Sequence, residues 1–181
     1  MSHYRSPHGA PVIGIAGWKN SGKTTLAVRL IAEFVARGLR LASVKHAHHA
    51  FQLDDGATDS ARHRQAGAAQ VAIVSRQRLA VLTELQDLPE PPLDEVIAML
   101  APADLIIVEG YKRAPIAKIE VRRAGSASGG SLAPADPDII AIATDTPNAH
   151  ASALPEFHLD DIAALADFLT RALSLQRKHD V

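Results

Sequence analysis

The stretch "IAGWKNSGKTTLAVRL", residues 15–30, decides how the rest of the chain is read. An aliphatic run beginning at Val12 breaks at Gly17, Trp18, Lys19, Asn20, Ser21 and Gly22, passes through Lys23, Thr24 and Thr25, and becomes apolar again at helical spacing. Gly17-x-x-x-x-Gly22-Lys23-Thr24 is the phosphate-loop pattern. Each position has a physical reason. The backbone N–H groups from Gly17 to Gly22 must turn inward around a phosphate, and glycine permits both the dihedral angles and the close approach. A helix starting at Lys23 adds unsatisfied N–H groups and the positive end of its dipole. Lys23 is expected to neutralise the β- and γ-phosphates, and the Thr24 hydroxyl to ligate Mg²⁺. Thr25 is expected to bond the α-phosphate. The plain alternative is an ordinary turn into a helix. A dinucleotide fingerprint fits less well, because Gly14 and Gly17 lack the G-x-G-x-x-G spacing.

Reading outward, "VIGIA" (12–16) is a buried strand, and a helix runs from Lys23 to Arg37 with Leu26, Leu30, Ile31 and Phe34 on one face and Gly38 at its end. "RLASVKH" is a second strand, and a short helix starts at Asp59 or Ser60 and stops at Gly67. "AQVAIVS" and "LAVLTEL" are strands, and "PLDEVIAML" is a helix with Pro92 near its start. "ADLIIVEGYK" is the strongest strand after the first, and "IIAIATD" is another. "IAKIEVRR" alternates, which predicts an edge strand, and "AGSASGGSLAPADPD" predicts a flexible loop. Asp160 is expected to cap a last helix carrying Ile162, Leu165, Leu169 and Leu173 on one face. Strands alternating with helices predict an α/β, three-layer P-loop NTPase fold, with a mostly parallel sheet flanked by helices. We expect one nucleotide-binding domain over residues 1–181, with 1–10 flexible.

Bulk properties narrow the function classes. Of 181 residues, 47% are hydrophobic, enough for a sizeable core. Aromatics at 4% and a net charge of −1 do not favour a nucleic-acid partner. Having no cysteine removes disulfides and thiolate metal sites. "MSHYRSPHGAPV" does not read as a signal peptide, and no window is long enough to span a membrane. We expect a soluble, cytoplasmic protein.

A P-loop metal needs a carboxylate, and parallel sheets bind ligands at the carboxyl ends of their strands. Glu109 follows four apolar residues at such an end. It is the expected metal acid, holding Mg²⁺ with Thr24 or orienting the attacking water. Gly110 after it could bring its N–H to a γ-phosphate. Asp59 could reach the metal or phosphates as a switch, or simply cap its helix. Asp145 follows the strand 139–143, where it could read guanine by accepting from N1–H and the exocyclic amine, or merely turn the chain. "KHAHH" places His46, His48 and His49 after the second strand. The cluster could bind Zn²⁺ or Ni²⁺, Lys45 and His46 could contact nucleotide or an anionic pterin, or the segment could be a solvated loop.

The ordered set "GWKNSGKTT", "VKHAHH", "RQAGAAQ", "IIVEGYK" and "AIATDTP" resembles the molybdopterin-guanine dinucleotide biosynthesis protein B family. The resemblance spans most of the chain from Val12 to the last helix. It implies a GTP-binding, Mg²⁺-dependent P-loop protein of the class that includes signal-recognition and metallochaperone GTPases. It further implies a homodimer with an extended sheet, weak GTP hydrolysis, and an accessory role in attaching GMP to molybdopterin. The implied partners are molybdopterin or its guanylyltransferase enzyme, which carries out the transfer itself. Competing readings are a metal-delivery GTPase using the histidines, a small-molecule P-loop kinase, and an adaptor whose nucleotide only stabilises a dimer.

Overall fold

In the computed structural model, residues 4–47, 53–54, 56, 58–125, 130–147 and 153–175 are described. They divide into two compact units, Met1–His46 with Leu93–Val181, and Ala47–Pro92.

The first unit is built around β1 (Val12–Gly17), buried along its whole length. It lies between β5 (Leu105–Glu109) and β6 (Lys118–Arg122) and is parallel to both. β2 (Leu41–Lys45), β7 (Ile139–Thr144) and β8 (Glu156–His158) complete a six-stranded sheet in the order β2-β5-β1-β6-β7-β8. Every pairing in it is parallel. A parallel sheet must be covered on both faces, which explains the uninterrupted aliphatic runs of β1 and β5.

Alternate residues go to opposite layers. Ile13, Ile15, Leu105, Ile107, Ile119 and Val121 pack with Leu26, Leu30 and Phe34 of α1 (Lys23–Ala36) and Leu165 and Leu169 of α4 (Ile162–Ala172). Val12, Ile106 and Val108 face the other way, onto Ile97 of α3 (Leu93–Ala98). Each such side chain contributes about 1.5–3 kcal/mol through burial. α1 stops where its sequence says it should. Gly38 adopts φ 85°, its N–H reaches the Val35 carbonyl at 2.9 Å, and the Leu39 N–H reaches Phe34 at 3.0 Å, a paired closure that uses the last free carbonyls.

Three expectations need correction. β6 is not an edge strand; it sits between β1 and β7. Its charged face, Lys118 and Glu120, is covered by the chain that follows, so the alternation marks two kinds of cover rather than solvent. That following chain is not simply flexible: it includes a short 3-10 helix, Ala133–Ala135. Asp160 does not cap α4. Asp161 does, accepting from the Ala164 N–H at 3.1 Å, while Asp160 pairs with Arg29 at 2.7 Å. The short strand β8 gave no pattern long enough to read.

The second unit holds α2 (Asp59–Gln65) and an antiparallel hairpin of β3 (Gln70–Val74) and β4 (Leu79–Thr83), in register from Gln70–Thr83 to Val74–Leu79. Thr58 caps α2, accepting from the Ala61 N–H at 3.1 Å, so Asp59 is the first helical residue and not the cap.

Candidate functional site

The strand register brings three chain ends together. Glu109 pairs with Ile15 of β1 and with Lys45 of β2, so the carboxyl ends of β1, β2 and β5 share one rim. From that rim the chain curls through 17–22 into α1. At Gly17 φ is 151°, and a Cβ there would stand 2.7 Å from both the Val121 carbonyl oxygen and Ser21 Oγ. Only glycine fits. Gly22, at φ 99°, is the N-cap of α1 and supplies no capping side chain, and no acid stands in the first turn. The first-turn N–H groups and the helix dipole are therefore available to an anion. The buried Ser21 hydroxyl has no hydrogen-bond partner among the described residues, an unsatisfied donor at the base of the loop.

Lys23 donates from Nζ to the Trp18 carbonyl at 2.7 Å. Burial depresses its pKa, the ammoniums of Lys112 and Lys45 depress it further, and Glu109 works against them. Several cations held around one loop are costly unless an anion shares the space. Thr24 donates to Glu109 Oε1 at 2.5 Å. Lys45 Nζ lies 3.5 Å from Thr24 Oγ1 and 3.7 Å from Glu109 Oε2. A hydroxyl and a carboxylate in contact are hard oxygen donors that suit Mg²⁺. The phosphate loop, Lys23, Thr24, Glu109 and Lys45 are thus one cluster.

The other expected residues divide. Gly110 (φ 99°) and Tyr111 (φ 41°) make a sharp turn after β5, and a Cβ on Gly110 would stand 2.7 Å from the His46 Cβ. The Gly110 N–H points to the Ile15 carbonyl at 3.4 Å. His46 donates its N–H to the Glu109 carbonyl at 2.9 Å and leans its ring on Tyr111 at 4.7 Å. Lys19, Asn20 and Thr25 are exposed, as Thr24 is. Both carboxylate oxygens of Asp145 accept the Ala124 N–H, at 2.9 and 3.1 Å. Asp59 belongs to the second unit, where it is exposed and lies 3.6 Å from Arg62. His48 and His49, on which metal delivery would depend, lie outside the described residues.

Sequence reasoning missed three neighbours of the loop. Lys112 places Nζ 4.3 Å from the centre of the Trp18 ring. The Trp18 indole N–H donates to the Gly130 carbonyl at 2.9 Å. A Cβ on Gly22 would stand 3.9 Å from the Arg123 guanidinium carbon. Only Lys112 left a trace, at the end of "VEGYK" beside the acid; the other two contacts span about a hundred residues and leave none.

The profile of one family, molybdopterin guanine dinucleotide synthesis protein B, matches residues 12–145. The chain belongs to that family. It is 38% identical over 168 residues to the molybdopterin-guanine dinucleotide biosynthesis adapter protein of Escherichia coli, covering 92% of this chain and 95% of that one. It is also 38% identical over 140 residues to the adapter protein of Haemophilus influenzae, covering 76% of each. Among solved structures it is similar to the family's homolog from Bacillus stearothermophilus (TM-score 0.67, 28% identity, 91% of this chain and 99% of that one). It is also similar to the Bacillus subtilis protein (TM-score 0.70, 25% identity, 90% and 98%). The fold is the three-layer P-loop NTPase fold expected from the sequence. Among the described residues, no helix is long and apolar enough to cross a membrane.

Proposed function

We propose that this protein binds GTP with Mg²⁺, hydrolyses it slowly, and serves in the cytoplasm as an accessory in the attachment of GMP to molybdopterin. The observation that carries the reading is the contact of Thr24 with Glu109 at the mouth of the glycine-lined loop. The adapter role follows from the names of the relatives; the guanylyl transfer is assigned to a partner enzyme. The residues fit a P-loop division of labour. The backbone from Gly17 to Gly22 cradles phosphate oxygens, and Lys23 turns from the Trp18 carbonyl to them. Thr24 and Glu109 would hold Mg²⁺, whose charge would neutralise the phosphate oxygens. Lys45, beside both, limits how much negative charge Glu109 presents. Asp145 is the proposed reader of guanine: the Ala124 N–H uses part of its acceptor capacity, and a carboxylate has about four lone-pair sites.

A homodimer is part of the proposal. β6 is interior and cannot extend a sheet across subunits. The β3–β4 hairpin exposes Val74, Leu79 and Val81 on one face, and a two-stranded sheet is marginal by itself. Both features suit a second copy of the chain.

Calorimetry with GTP, ATP and molybdopterin in parallel tests the reading. Lys23→Ala should lower GTP affinity roughly a hundredfold or more, the loss of two or so charge-assisted bonds, while leaving unfolding unchanged. Undiminished GTP binding by Lys23→Ala would remove the nucleotide site.

A further inference from the structure

A lysine from outside the phosphate loop, Lys112, stands against its Trp18. We propose that Lys112 is a binding residue for the terminal phosphate of a nucleoside triphosphate, with Trp18 as its cradle. The inference rests on the nucleotide site proposed above and adds to it the group that distinguishes a triphosphate from a diphosphate.

Trp18 engages two ammonium groups at once. Its carbonyl accepts Lys23 Nζ at 2.7 Å, and its ring lies under Lys112 Nζ at 4.3 Å. Two like charges on one residue of the loop repel, and the Lys112 charge is the largest charge influence on Lys23. An anion between them relieves that repulsion. The route of the chain says which anion. Lys112 lies three residues beyond Glu109, and the left-handed pair Gly110 and Tyr111 returns the chain so that the ammonium stands over the loop. In a P-loop the metal acid stands beside the outer phosphates, so the segment leaving that acid borders the last of them. A cation on an aromatic face is held more weakly than one bonded to a phosphate oxygen. The flexible four-carbon stem lets the ammonium change partners. Trp18 is fixed meanwhile by its indole bond to Gly130.

Trp18 is the single tryptophan of the chain, so the exchange has its own optical signal. The experiment titrates the full-length protein and its Lys112→Met and Lys112→Arg variants with GTP and GDP in Mg²⁺, by calorimetry and by Trp18 emission. Lys112→Met should weaken GTP about ten- to a hundredfold, the worth of one charge-assisted bond, and GDP by less than about threefold. Its Trp18 emission should no longer respond to GTP, and Lys112→Arg should restore much of both. Equal losses for GTP and GDP, or no loss, would overturn the role of Lys112. Lys23→Ala separates the two failures: if it abolishes binding while Lys112→Met changes nothing, the nucleotide site stands and only Lys112 is removed from it. If neither substitution matters, both readings fall.

Discussion

β5 and β6 are the two neighbours of β1, and each carries a glutamate, with opposite fates. Glu109 closes β5 at the rim, where its carboxylate takes the Thr24 hydroxyl and stands near Lys45. Glu120 lies inside β6, almost fully buried, and accepts the Leu132 N–H at 2.7 Å and the Ala133 N–H at 2.9 Å. Arg122 pairs with it at 2.9 Å, and Ser131 Oγ lies at 3.2 Å. A carboxylate has about four lone-pair sites. Glu120 has spent them on its own chain; Glu109 keeps capacity for something else. The flanking layers explain the difference. α3 covers β5 with apolar side chains, whereas the chain after residue 130 covers β6 with backbone N–H groups and carboxylates that must be answered by charge.

The same substitution at the two positions should therefore separate folding from binding. Glu120→Gln should be the most destabilising change, because the amide NH₂ would face backbone donors and the Arg122 guanidinium. Breaking one side of a buried, hydrogen-bonded ion pair costs about 3–5 kcal/mol, measurable by chemical denaturation. Burial raises the Glu120 pKa, but Arg122 and the N–H groups of Leu132 and Ala133 outweigh it and hold the carboxyl below the ordinary glutamate range. With the folded pKa below the unfolded value, the carboxylate's contribution is complete above about pH 4.3 and is lost as pH falls through the folded pKa. The stability gap between wild type and Glu120→Gln should narrow over that acidic window. A gap constant from pH 7 to pH 3 would mean that the charge of Glu120 does not hold Leu132 and Ala133 against β6.

Much of this was legible in the sequence, and the exceptions have causes. The phosphate loop was readable because its meaning lies in eight consecutive residues, and β5 because a buried parallel strand has few other ways to look. β6 misled because period-two alternation reports only that two faces differ. It says nothing about whether water or another segment meets the charged one. The answer lay in residues 131–138, which have no periodicity, so their contacts with Glu120 and Lys118 leave no local sign. The α4 cap slipped by one residue for a related reason: Asp160 and Asp161 both suit the position, and a salt bridge to Arg29, far away in sequence, took the first.

Lys118→Met should cost less than Glu120→Gln. Lys118 donates to the Ala114 carbonyl at 2.7 Å and pairs with Asp136 at 3.2 Å and Asp138 at 3.4 Å. Its acidic partners are 23% and 43% exposed, so water can replace the ammonium there, and the methionine fills the stem's place. The Ala114 carbonyl loses the ammonium but keeps the Ile116 N–H at 2.9 Å, so the cost is that of one charge-assisted hydrogen bond, about 1.5–3 kcal/mol. A loss larger than that of Glu120→Gln would reverse the ranking and make the lysine the main fastening of β6.

Glu109→Gln should change stability least. The Thr24 hydroxyl can donate to an amide oxygen as it does to the carboxylate, so the 2.5 Å contact has a neutral substitute. Lys45 is 62% exposed at 3.7 Å, and exposed ion pairs contribute about 0–1 kcal/mol. Denaturation should therefore differ from wild type by less than about 1 kcal/mol. Ligand binding should respond in the opposite sense. If Thr24 and Glu109 together hold Mg²⁺, removing the negative charge should erase most of the difference between GTP affinities measured with Mg²⁺ and with a chelator. A charge-assisted interaction of that kind is worth roughly 1.5–3 kcal/mol, or about ten- to a hundredfold in affinity. A variant that unfolds as easily as Glu120→Gln would show that Glu109 is a fastening like its neighbour. One that keeps both its stability and its full Mg²⁺ dependence would show that the rim carboxylate is not the metal acid, and the search would move to another oxygen near Thr24.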